Sequence, residues 1–356
     1  MGVRKPRWQG ARLTGGPTAA VTRLLLSPEP RHRLWRLLWV VHTRTVAIHY
    51  VRAALRACPE PSVVLHGAGI PSSLLADDRA RVTPAQYTKF IQTLWEVLDD
   101  EFMGFGPRPS KRGTFAMMCL LAVHCPDLES ALKRGLAFYT LFDDPLELSL
   151  DDGRFTLHIP GDPDHFLTES LLVLWHRFSS WLIGRRIPLQ GAEFGYPEPA
   201  HAAEYHLIFG CPLRFDADAT TIAFDPKFLR MPVVQDEAAL KRFLRHSPAE
   251  LLSRRDHGAD TAGHVRRLLG RGVSGLEAVA AQLGVSAPTL RRRLAGEGTS
   301  FREVREQLLR DQAVASLVRG GESVEELALR LGFSEASAFH RAFKRWTGSS
   351  PGSYRA

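Results

Sequence analysis

The sequence lacks the short motifs that mark common catalytic and nucleotide-binding sites. Its 356 residues contain no HExxH metal helix, no P-loop and no GxGxxG dinucleotide loop. Adjacent acidic pairs such as Asp77-Asp78 and Asp99-Asp100 do not share a helix face, so solvated turns explain them better than paired catalytic carboxylates. We therefore expect no enzymatic activity, no catalytic residue and no cofactor.

Cysteine is scarce, and its spacing narrows the class of protein further. Cys58, Cys119, Cys125 and Cys211 form no CxxC pair, which argues against an extracellular disulfide framework and favours a cytoplasmic setting. Cys119, His124 and Cys125 fall in the apolar helical run TFAMMCLLAVHC, where their spacing spreads them around the helix. Core packing is the preferred interpretation of these residues, and we expect no bound metal.

Long hydrophobic runs are also absent. No segment reaches 18 uncharged apolar residues, and the nearest candidate, Phe166 to Gly184, contains Glu169, His176 and Arg177. This pattern predicts a buried amphipathic helix rather than a membrane span. A membrane is therefore not an expected partner.

The net charge of +8 is distributed unevenly along the chain. Residues 251–356 carry 17 Lys and Arg against 11 Asp and Glu, whereas residues 41–250 carry 21 against 26. A basic C-terminal module thus follows an acidic middle region that phosphate would repel. We expect the C-terminal module to bind nucleic acid and the middle region to do something else.

Residues 1–40 hold 8 Lys and Arg against 1 acidic residue and lack hydrophobic periodicity. We interpret them as a disordered segment, or as an over-extended start of the reading frame. A basic DNA-binding arm is the alternative. Pro28, Pro30 and scattered arginines interrupt the apolar patches here, which argues against a secretory signal.

The last hundred residues contain a duplicated pattern. A first unit at 276–297 contains LEAVAAQLGVSAPTLRRRL, and a second unit at 324–347 contains VEELALRLGFSEASAFHRAF. The units match at a constant offset of 48 up to Ser286 and Ser334, and at 49 within the following helix, because the second unit gains one residue. Each unit has the layout of a helix-turn-helix, with a short helix, a turn and a recognition helix.

The residue types predict how each unit packs. Gly284 and Gly332 suit a turn that needs a positive φ, Ser286 and Ser334 suit the N-caps of the next helices, and Pro288 suits a first helical turn. The predicted core consists of Leu283, Gly284, Leu290, Leu294, Leu331, Gly332, Phe339 and Phe343. The predicted outward faces carry Arg291, Arg292 and Arg293 in the first unit, and Ser337, His340, Arg341, Lys344 and Arg345 in the second.

A further helix is predicted between the units, capped by Ser300 and running to about Leu317. At 1.5 Å per residue it would span roughly 25 Å, the order of length that places two recognition helices about one DNA turn apart. A single pattern of this kind also fits an ordinary helical hairpin, and an arginine triplet alone also fits a solvated helix face. Two units in register, a helical spacer and a basic background together favour DNA binding.

Residues 41–245 are predicted to form an α+β domain, followed by a polar linker at 246–260. Alternation on both sides of Asp152-Gly153 predicts a hairpin. In it Leu146, Leu148 and Leu150 pair with Phe155, Leu157 and Ile159. Further helices are predicted near 46–57, 84–101, 112–125, 128–142, 163–184 and 201–209, and strands near 188–195, 212–216 and 220–224.

The C-terminal hundred residues resemble the DNA-binding domain of the AraC/XylS family, most specifically in the closing stretch FHRAFKRWTGSSPGSYR. The resemblance implies an all-α domain at 261–356, with two helix-turn-helix units joined by a linker helix. Its two recognition helices are expected to enter successive major-groove segments of promoter DNA.

Carried over by position, Arg291 and Arg292 correspond to the base-facing pair of the first unit. Ser337 and Arg341, with His340 beside them, correspond to the base-facing residues of the second unit. Pro288 stands where some family members carry a larger groove-contacting side chain, so a base contact at that position is not implied.

The middle domain is similar to the arabinose-binding-type effector domain of the ornithine-utilisation-regulator-like branch of this family. The similar stretches are FMGFG at 102–106, ALKRGLAFYTLF at 131–142 and YHLIFGCPLRF at 205–215. The resemblance implies a domain that senses a small molecule and takes part in self-association as a homodimer, and activation through contact with RNA polymerase. The aromatic residues of these stretches suit a core as well as a pocket, so the sequence identifies neither the effector nor its binding residues.

The leading hypothesis is therefore a sequence-specific transcription factor that responds to a small-molecule effector. One alternative keeps DNA binding but drops the ligand, so that the middle domain serves only dimerisation or protein contact. Another alternative is a DNA-repair alkyltransferase with the same type of DNA-binding domain. It would need an activated cysteine beside a histidine, and none of the four cysteines has such a motif.

Overall fold

The structure, a computed structural model, describes residues 45–142, 146–162, 165–246 and 261–355. The segment predicted to be disordered, 1–40, and nearly all of the predicted linker lie outside the described residues. No helix of the described part of the chain is long and apolar enough to cross a membrane.

Helices dominate both halves of the described chain. The first eight are α1 (Ile48–Ala54), α2 (Pro61–Gly67), α3 (Pro84–Leu98), α4 (Thr114–Val123), α5 (Leu128–Tyr139), α6 (Phe166–Leu182), α7 (Ala202–Phe209) and α8 (Glu237–His246). The C-terminal six are α9 (Thr261–Gly270), α10 (Leu276–Gln282), α11 (Ala287–Gly296), α12 (Phe301–Arg319), α13 (Val324–Arg330) and α14 (Ala336–Thr347). A 3₁₀ turn, Pro351–Tyr354, closes the chain.

All strands of the described residues lie before α8, between Val46 and Phe224. They are β1 (Val46–Ala47), β2 (Arg81–Val82), β3 (Glu147–Asp151), β4 (Arg154–His158), β5 (Leu189–Glu193), β6 (Leu213–Arg214) and β7 (Thr221–Phe224). β1 pairs with β2, and the other five form one sheet in the order β3-β4-β7-β5-β6, antiparallel except for the β5–β6 pair. The predicted fold class, α+β followed by an all-α region, is confirmed.

The predicted hairpin is confirmed in its register. Leu148 lies opposite Leu157, and Leu150 lies opposite Phe155. Asp152 and Gly153 both adopt a positive φ at the turn, the conformation that two-residue hairpin loops with an Asp-Gly sequence favour. The sequence signal was strong here because the turn residues and the alternation specify the same register.

The predicted helices are confirmed with shorter ends. The helix predicted over 84–101 stops at Leu98, because Asp99 adopts the left-handed conformation with φ of 50°. The helix predicted over 128–142 ends at Tyr139 and continues as a 3₁₀ turn. α2, α8, α9 and the two-residue strands β1 and β2 were not predicted. α2, β1 and β2 are short elements that carry little periodicity, whereas α8 and α9 each have ten residues.

Three hydrophobic clusters organise the described residues. The first, the sheet core, packs α4, α5 and α6 against the five-stranded sheet, where the rings of Phe155 and Trp175 lie 5.4 Å apart. Cys119 and Cys125 are buried in this cluster, as the core-packing interpretation predicted. This cluster is therefore an α+β core, to which α6 contributes most of its buried residues, while Phe166 of α6 packs in the second cluster.

The second cluster, the junction core, joins distant parts of the sequence. It combines residues of α1, α2 and α3, such as Ile48 and Phe90, with Val314, Phe339 and Phe343 of the C-terminal helices. The third cluster, the first-unit core, is smaller and comprises residues of α9, α10, α11 and the start of α12. The domain limits 41–245, 246–260 and 261–356 stay predictions, since a cluster shared by both halves marks no boundary between them.

Candidate nucleic-acid interface

The first helix-turn-helix unit is built by α10 and α11 around a glycine turn. Gly284 has a φ of 66°, and the amide of Val285 donates to the carbonyl of Ala280 at 3.0 Å. The Ser286 hydroxyl caps α11 by accepting from the Thr289 amide at 3.3 Å, and Pro288 occupies the first turn. Sequence and local geometry agree at every one of these positions.

The second unit repeats this geometry at the offset seen in the sequence. Gly332 has a φ of 84°, and the amide of Phe333 donates to the carbonyl of Ala328 at 2.9 Å. The prediction that Ser334 caps the recognition helix is wrong: Glu335 holds the N-cap position of α14 and makes no side-chain capping bond. The residue gained by the second unit lies just before this helix and shifts its start by one position.

The predicted core residues of the two units lie in two different clusters. In the first unit, Leu290 and Leu294 are fully buried in the first-unit core, and Leu283 is partly buried against it. In the second unit, Phe339 and Phe343 are fully buried in the junction core, with Leu331 beside them. Gly284 and Gly332 are exposed at the turns, where they serve the backbone rather than the packing.

The predicted DNA-facing residues all lie on exposed faces. Exposed side chains are Arg291, Arg292 and Arg293 on α11, and Ser337, His340, Arg341 and Lys344 on α14. Ser337 donates from Oγ to Oε2 of Glu335 at 3.0 Å. Among the described residues, no carboxylate forms a salt bridge with any of the α11 arginines, Arg341 or Lys344, so these cations are available to phosphate and base edges.

α12 is a stiff spacer between the two units. Its capping box pairs Ser300 with Glu303: the Glu303 amide donates to the Ser300 hydroxyl at 3.2 Å, and the Ser300 amide donates to Oε2 of Glu303 at 2.8 Å. Its 19 residues span about 28 Å. Val304 packs in the first-unit core and Val314 in the junction core, so one continuous helix carries both units.

The closing stretch fastens the second unit to the N-terminal half. The Tyr354 hydroxyl accepts from the backbone amide of Arg81 at 3.0 Å, and the Tyr354 ring meets Phe343 edge-on at 5.2 Å. Gly348 lies so close to the carboxylate of Asp77 that a Cβ would clash with it. The sequence showed these residues as part of a motif, but it did not show what they contact.

A buried charged network crosses the same junction, and sequence reasoning missed it. Asp311 of α12 is 4% exposed and meets Thr45 and Arg266, while Arg81 bonds both Thr45 and Glu204. The available signal was Asp311 itself: it lies three residues after Leu308 on the apolar stripe of an amphipathic helix. A carboxylate at such a position needs buried partners.

The electrostatics of this network follow from its pairs. Burial alone would raise the pKa of Asp311, but Arg310, Arg266 and Arg81 lower it to about 2. Burial would likewise raise the pKa of Glu204, but Arg81 lowers it to about 2. Both carboxylates are therefore charged at neutral pH.

A second polar cluster lies next to Glu204 in the N-terminal half. Glu169 is 3% exposed and accepts from the hydroxyl of Tyr205, and His201 lies 3.0 Å from it, measured from Nε2 to Oε1. The His49 ring packs 4.3 Å from the His201 ring. Burial and the neighbouring His201 lower the pKa of His49 to about 3, so its neutral form is present at neutral pH.

The cysteines are poor candidates for a methyl acceptor. Cys58, Cys119 and Cys125 are buried. Burial raises the pKa of the Cys119 thiol well above its usual range and that of Cys211 to about 11. A thiol that stays protonated is a weak nucleophile, so the structure gives the alkyltransferase alternative no support.

Two helix-turn-helix units on one spacer, with basic outward faces and an α+β body beside them, define a DNA-binding transcription regulator. The profile of the arabinose-binding N-terminal domain of AraC transcription regulators matches residues 60–233, and that of a helix-turn-helix domain matches residues 279–356. The chain belongs to the AraC/XylS family, as the relatives below also show. Its helix-turn-helix domain binds DNA, and its N-terminal half is an effector domain of the arabinose-binding type that takes a small-molecule ligand.

Named relatives agree with this assignment. The Ornithine utilization regulator of Pseudomonas aeruginosa is 32% identical over 241 residues, which cover 64% of this chain and 70% of that protein. The HTH-type transcriptional regulator VirS of Mycobacterium tuberculosis is 34% identical over 161 residues, which cover 43% of this chain and 46% of VirS. These relatives are transcription regulators, which are not enzymes.

Among solved structures, the transcriptional regulator CdpR from Pseudomonas aeruginosa aligns with 86% of this chain and 98% of its own, at 20% identity. The TM-score of that alignment is 0.27, which is too low to support an inference about this chain.

Proposed function

We propose that the chain binds promoter DNA by inserting α11 and α14 into successive segments of one major-groove face. Arg291 and Arg292 contact base edges in the first half-site. Ser337 and Arg341 do so in the second, with His340 and Lys344 beside them. The observation that carries this proposal is the division of each recognition helix into a fully buried apolar side and an exposed basic side.

The spacer supports a particular site geometry. A rigid helix of about 28 Å approaches the roughly 34 Å that separate successive major-groove segments on one side of the duplex. Since α12 is packed at both ends, the distance between the two units has little freedom. We therefore propose an operator with two short half-sites about one turn apart.

The effector half supplies regulation. We propose that its ligand is a small polar metabolite, because the described part of this half buries a cluster of carboxylate, imidazole and phenol groups around Glu169 and Glu204. The printed name of one relative, a regulator of ornithine utilization, makes amino acids the first class to test. We further propose that the chain acts as a homodimeric activator that contacts RNA polymerase in the cytoplasm, where promoter DNA lies.

Enrichment of genomic fragments by the purified full-length chain, followed by sequencing, tests the DNA-binding proposal. We expect a compact site of two half-sites about 10 base pairs apart. The double variant Arg292→Ala, Arg341→Ala should lose this enrichment. The matched variant Arg214→Ala, which removes a cation from the effector half, should keep it. Enrichment that survives in the double variant would show that the assigned residues do not read DNA.

A thermal-shift screen tests the effector proposal. A ligand that binds only the folded state raises the free energy of unfolding, by about 2.7 kcal/mol when its concentration is 100 times the dissociation constant. This added stability raises the melting temperature. The panel contains ornithine, other amino acids, small carboxylates and fatty acids. A hit supports a ligand-responsive regulator, whereas no shift from any member at high concentration supports a regulator controlled by protein contacts alone.

A further inference from the structure

One buried carboxylate holds both halves of the molecule to the spacer helix. Oδ1 of Asp311 accepts from the Thr45 hydroxyl at 2.6 Å, and Thr45 begins the described effector half. Oδ2 of the same carboxylate accepts from Nη2 of Arg266, which lies on α9 and packs with the first helix-turn-helix unit. Among the described residues, Asp311 is therefore a point at which the effector half and the first unit meet.

The network continues from Thr45 into the effector half. Nε of Arg81 donates to the Thr45 hydroxyl at 2.8 Å, and Nη2 donates to the Thr45 carbonyl at 2.7 Å. Nη1 of Arg81 donates to Oε1 of Glu204 on α7 at 2.6 Å. The path Glu204–Arg81–Thr45–Asp311–Arg266 thus runs without a break from α7 to α9.

Buried charges cannot change partners independently. The side chains of Arg81 and Asp311 are 8% and 3% exposed, and removing one member of such a set leaves another buried charge uncompensated. Asp311 has a second cation within reach, since Nε of Arg310 lies 3.3 Å from Oδ1. Arg310 therefore already contacts Asp311 alongside Thr45, and it can keep the carboxylate compensated when the link through Thr45 and Arg81 is lost.

We expect a change in the contacts of Asp311 to move the first unit but not the second. Phe339 and Phe343 are buried in the junction core with α1 to α3, and Tyr354 is bonded to the backbone of Arg81. The first unit packs in its own core, and α12 and Asp311 join it to the second unit and to Thr45. A change at Asp311 therefore alters the angle between the two units.

We propose that the Glu204–Arg81–Thr45–Asp311 path is the coupling device of this regulator: a molecule that engages Glu204 releases Arg81 from its ion pair, the bonds from Arg81 to Thr45 loosen, and the spacer then re-orients the first unit relative to the second. Glu204 is placed for this role because it lies in the first turn of α7, directly after the N-cap residue His201, which contacts Glu169 and His49. The effect on DNA spacing rests on the proposed function, whereas the effect on α9 and α12 does not.

Hydrogen exchange on the full-length chain tests the coupling without DNA. Glu204→Gln removes the charge that holds Arg81, and we expect exchange in α9 and α12 to rise about tenfold while the five-stranded sheet stays unchanged. The matched control is Glu193→Gln, which removes a carboxylate paired with Arg154 and Arg214 on that sheet and should leave α9 and α12 unchanged. Exchange in α9 and α12 equal to wild type, or a uniform rise over the whole chain, overturns the proposal.

A second variant keeps the test decisive if Glu204→Gln does not fold. Thr45→Val removes only the hydroxyl that links Arg81 to Asp311, and it should raise exchange in the same two helices. On the enriched operator, inserting about two base pairs between the half-sites should weaken wild-type binding at least tenfold and the Glu204→Gln variant about threefold or less. If no operator is enriched, the proposed function fails, and the exchange result still decides the coupling.

Discussion

The two helix-turn-helix units share a local geometry but not a packing environment. Both turn at a glycine with positive φ, and both place the same backbone hydrogen bond after it, at Val285 in one and Phe333 in the other. The first unit has a small core of its own. The second buries Phe339 and Phe343 among helices that precede it by more than 200 residues.

Because of this difference, the two helix-turn-helix units are held in different ways although their sequences are similar. The second unit packs with α1, α2 and α3, so we expect its recognition helix to keep its orientation relative to the effector half. The first unit is carried on the end of α12, so its orientation depends on how α12 is held. We expect a regulator built in this way to change the relative orientation of its two recognition helices without unfolding either unit.

The largest effect is expected from breaking the cores. Phe343→Ala should cost about 3–5 kcal/mol, because it removes a fully buried ring from the junction core. Leu294→Ala should cost about 2–5 kcal/mol but act on the first-unit core alone. Residues 261–300 contain no tryptophan, whereas Trp95 and Trp346 pack against the junction core. Urea unfolding followed by tryptophan fluorescence and by helical circular dichroism therefore separates the two units.

We expect Phe343→Ala to lower the fluorescence midpoint and the dichroism midpoint together. In Leu294→Ala, part of the helical dichroism should be lost at lower urea concentration than in the wild type. The fluorescence midpoint should equal that of the wild type. A fluorescence midpoint lowered equally by both variants would show that the two units unfold as one, which contradicts the comparison.

The next effect concerns DNA. Arg341→Ala should cost about 1–3 kcal/mol of binding and relax sequence preference over the second half-site only, since a bidentate base contact is lost. Arg292→Ala should do the same over the first half-site, and less strongly, because a unit that can re-orient compensates in part. Anisotropy titrations on operators with either half-site scrambled measure both effects. Uniform weakening on every sequence would make these arginines phosphate contacts.

The two helix-turn-helix units could be predicted from the sequence because the residues that determine their structure lie close together in the chain. A glycine turn, a serine cap and apolar residues four apart lie within 20 residues of each other in the first unit, and the structure reproduces them at Gly284, Ser286 and Leu290. The error at Ser334 has the same local origin. The repeat aligned it with Ser286, but the gained residue moved the cap to Glu335.

The junction could not be predicted because it is non-local. Thr45 and Asp311 are 266 residues apart, and no periodicity relates them. β1 and β2, which bring Thr45 and Arg81 together, are two residues long and have no measurable alternation. Asp311 on an apolar stripe signalled a buried partner, but the identity of that partner follows only from the fold.

Acid should weaken the junction before it affects the first unit. The folded pKa of His49 is about 3, below its usual value of about 6.5, so the unfolded chain takes up this proton first. The stability that neutral His49 contributes is present above about pH 6.5 and decreases as pH falls toward 3, by about 2 kcal/mol between pH 7 and pH 5. His201, Glu204, Arg81 and Arg52 are the charged or titratable groups that act on it.

The carboxylates of Asp311 and Glu204 do not contribute to the loss of stability between pH 7 and pH 5. Their folded pKa values of about 2 lie below the usual values of about 4, so the stability that Asp311 and Glu204 add is lost only as pH falls from about 4 toward 2. Melting followed by tryptophan fluorescence at pH 7 and pH 5 tests this. His49→Phe should reduce the fall in midpoint seen for the wild type, and an equal fall in both would assign the acid sensitivity to another group.

The smallest effect is expected at the helix caps, and it sharpens the same comparison. Ser323→Ala breaks a capping box in which the Glu326 amide donates to the Ser323 hydroxyl at 3.0 Å, whereas Ser286→Ala removes a single bond from the Thr289 amide at 3.3 Å. Each should cost about 1 kcal/mol. Because α13 belongs to the junction core, Ser323→Ala should lower the fluorescence midpoint, and Ser286→Ala should change only the helical signal. A Ser286→Ala variant that lowers the fluorescence midpoint as much as Ser323→Ala does would mean that the first unit is as firmly joined to the effector half as the second.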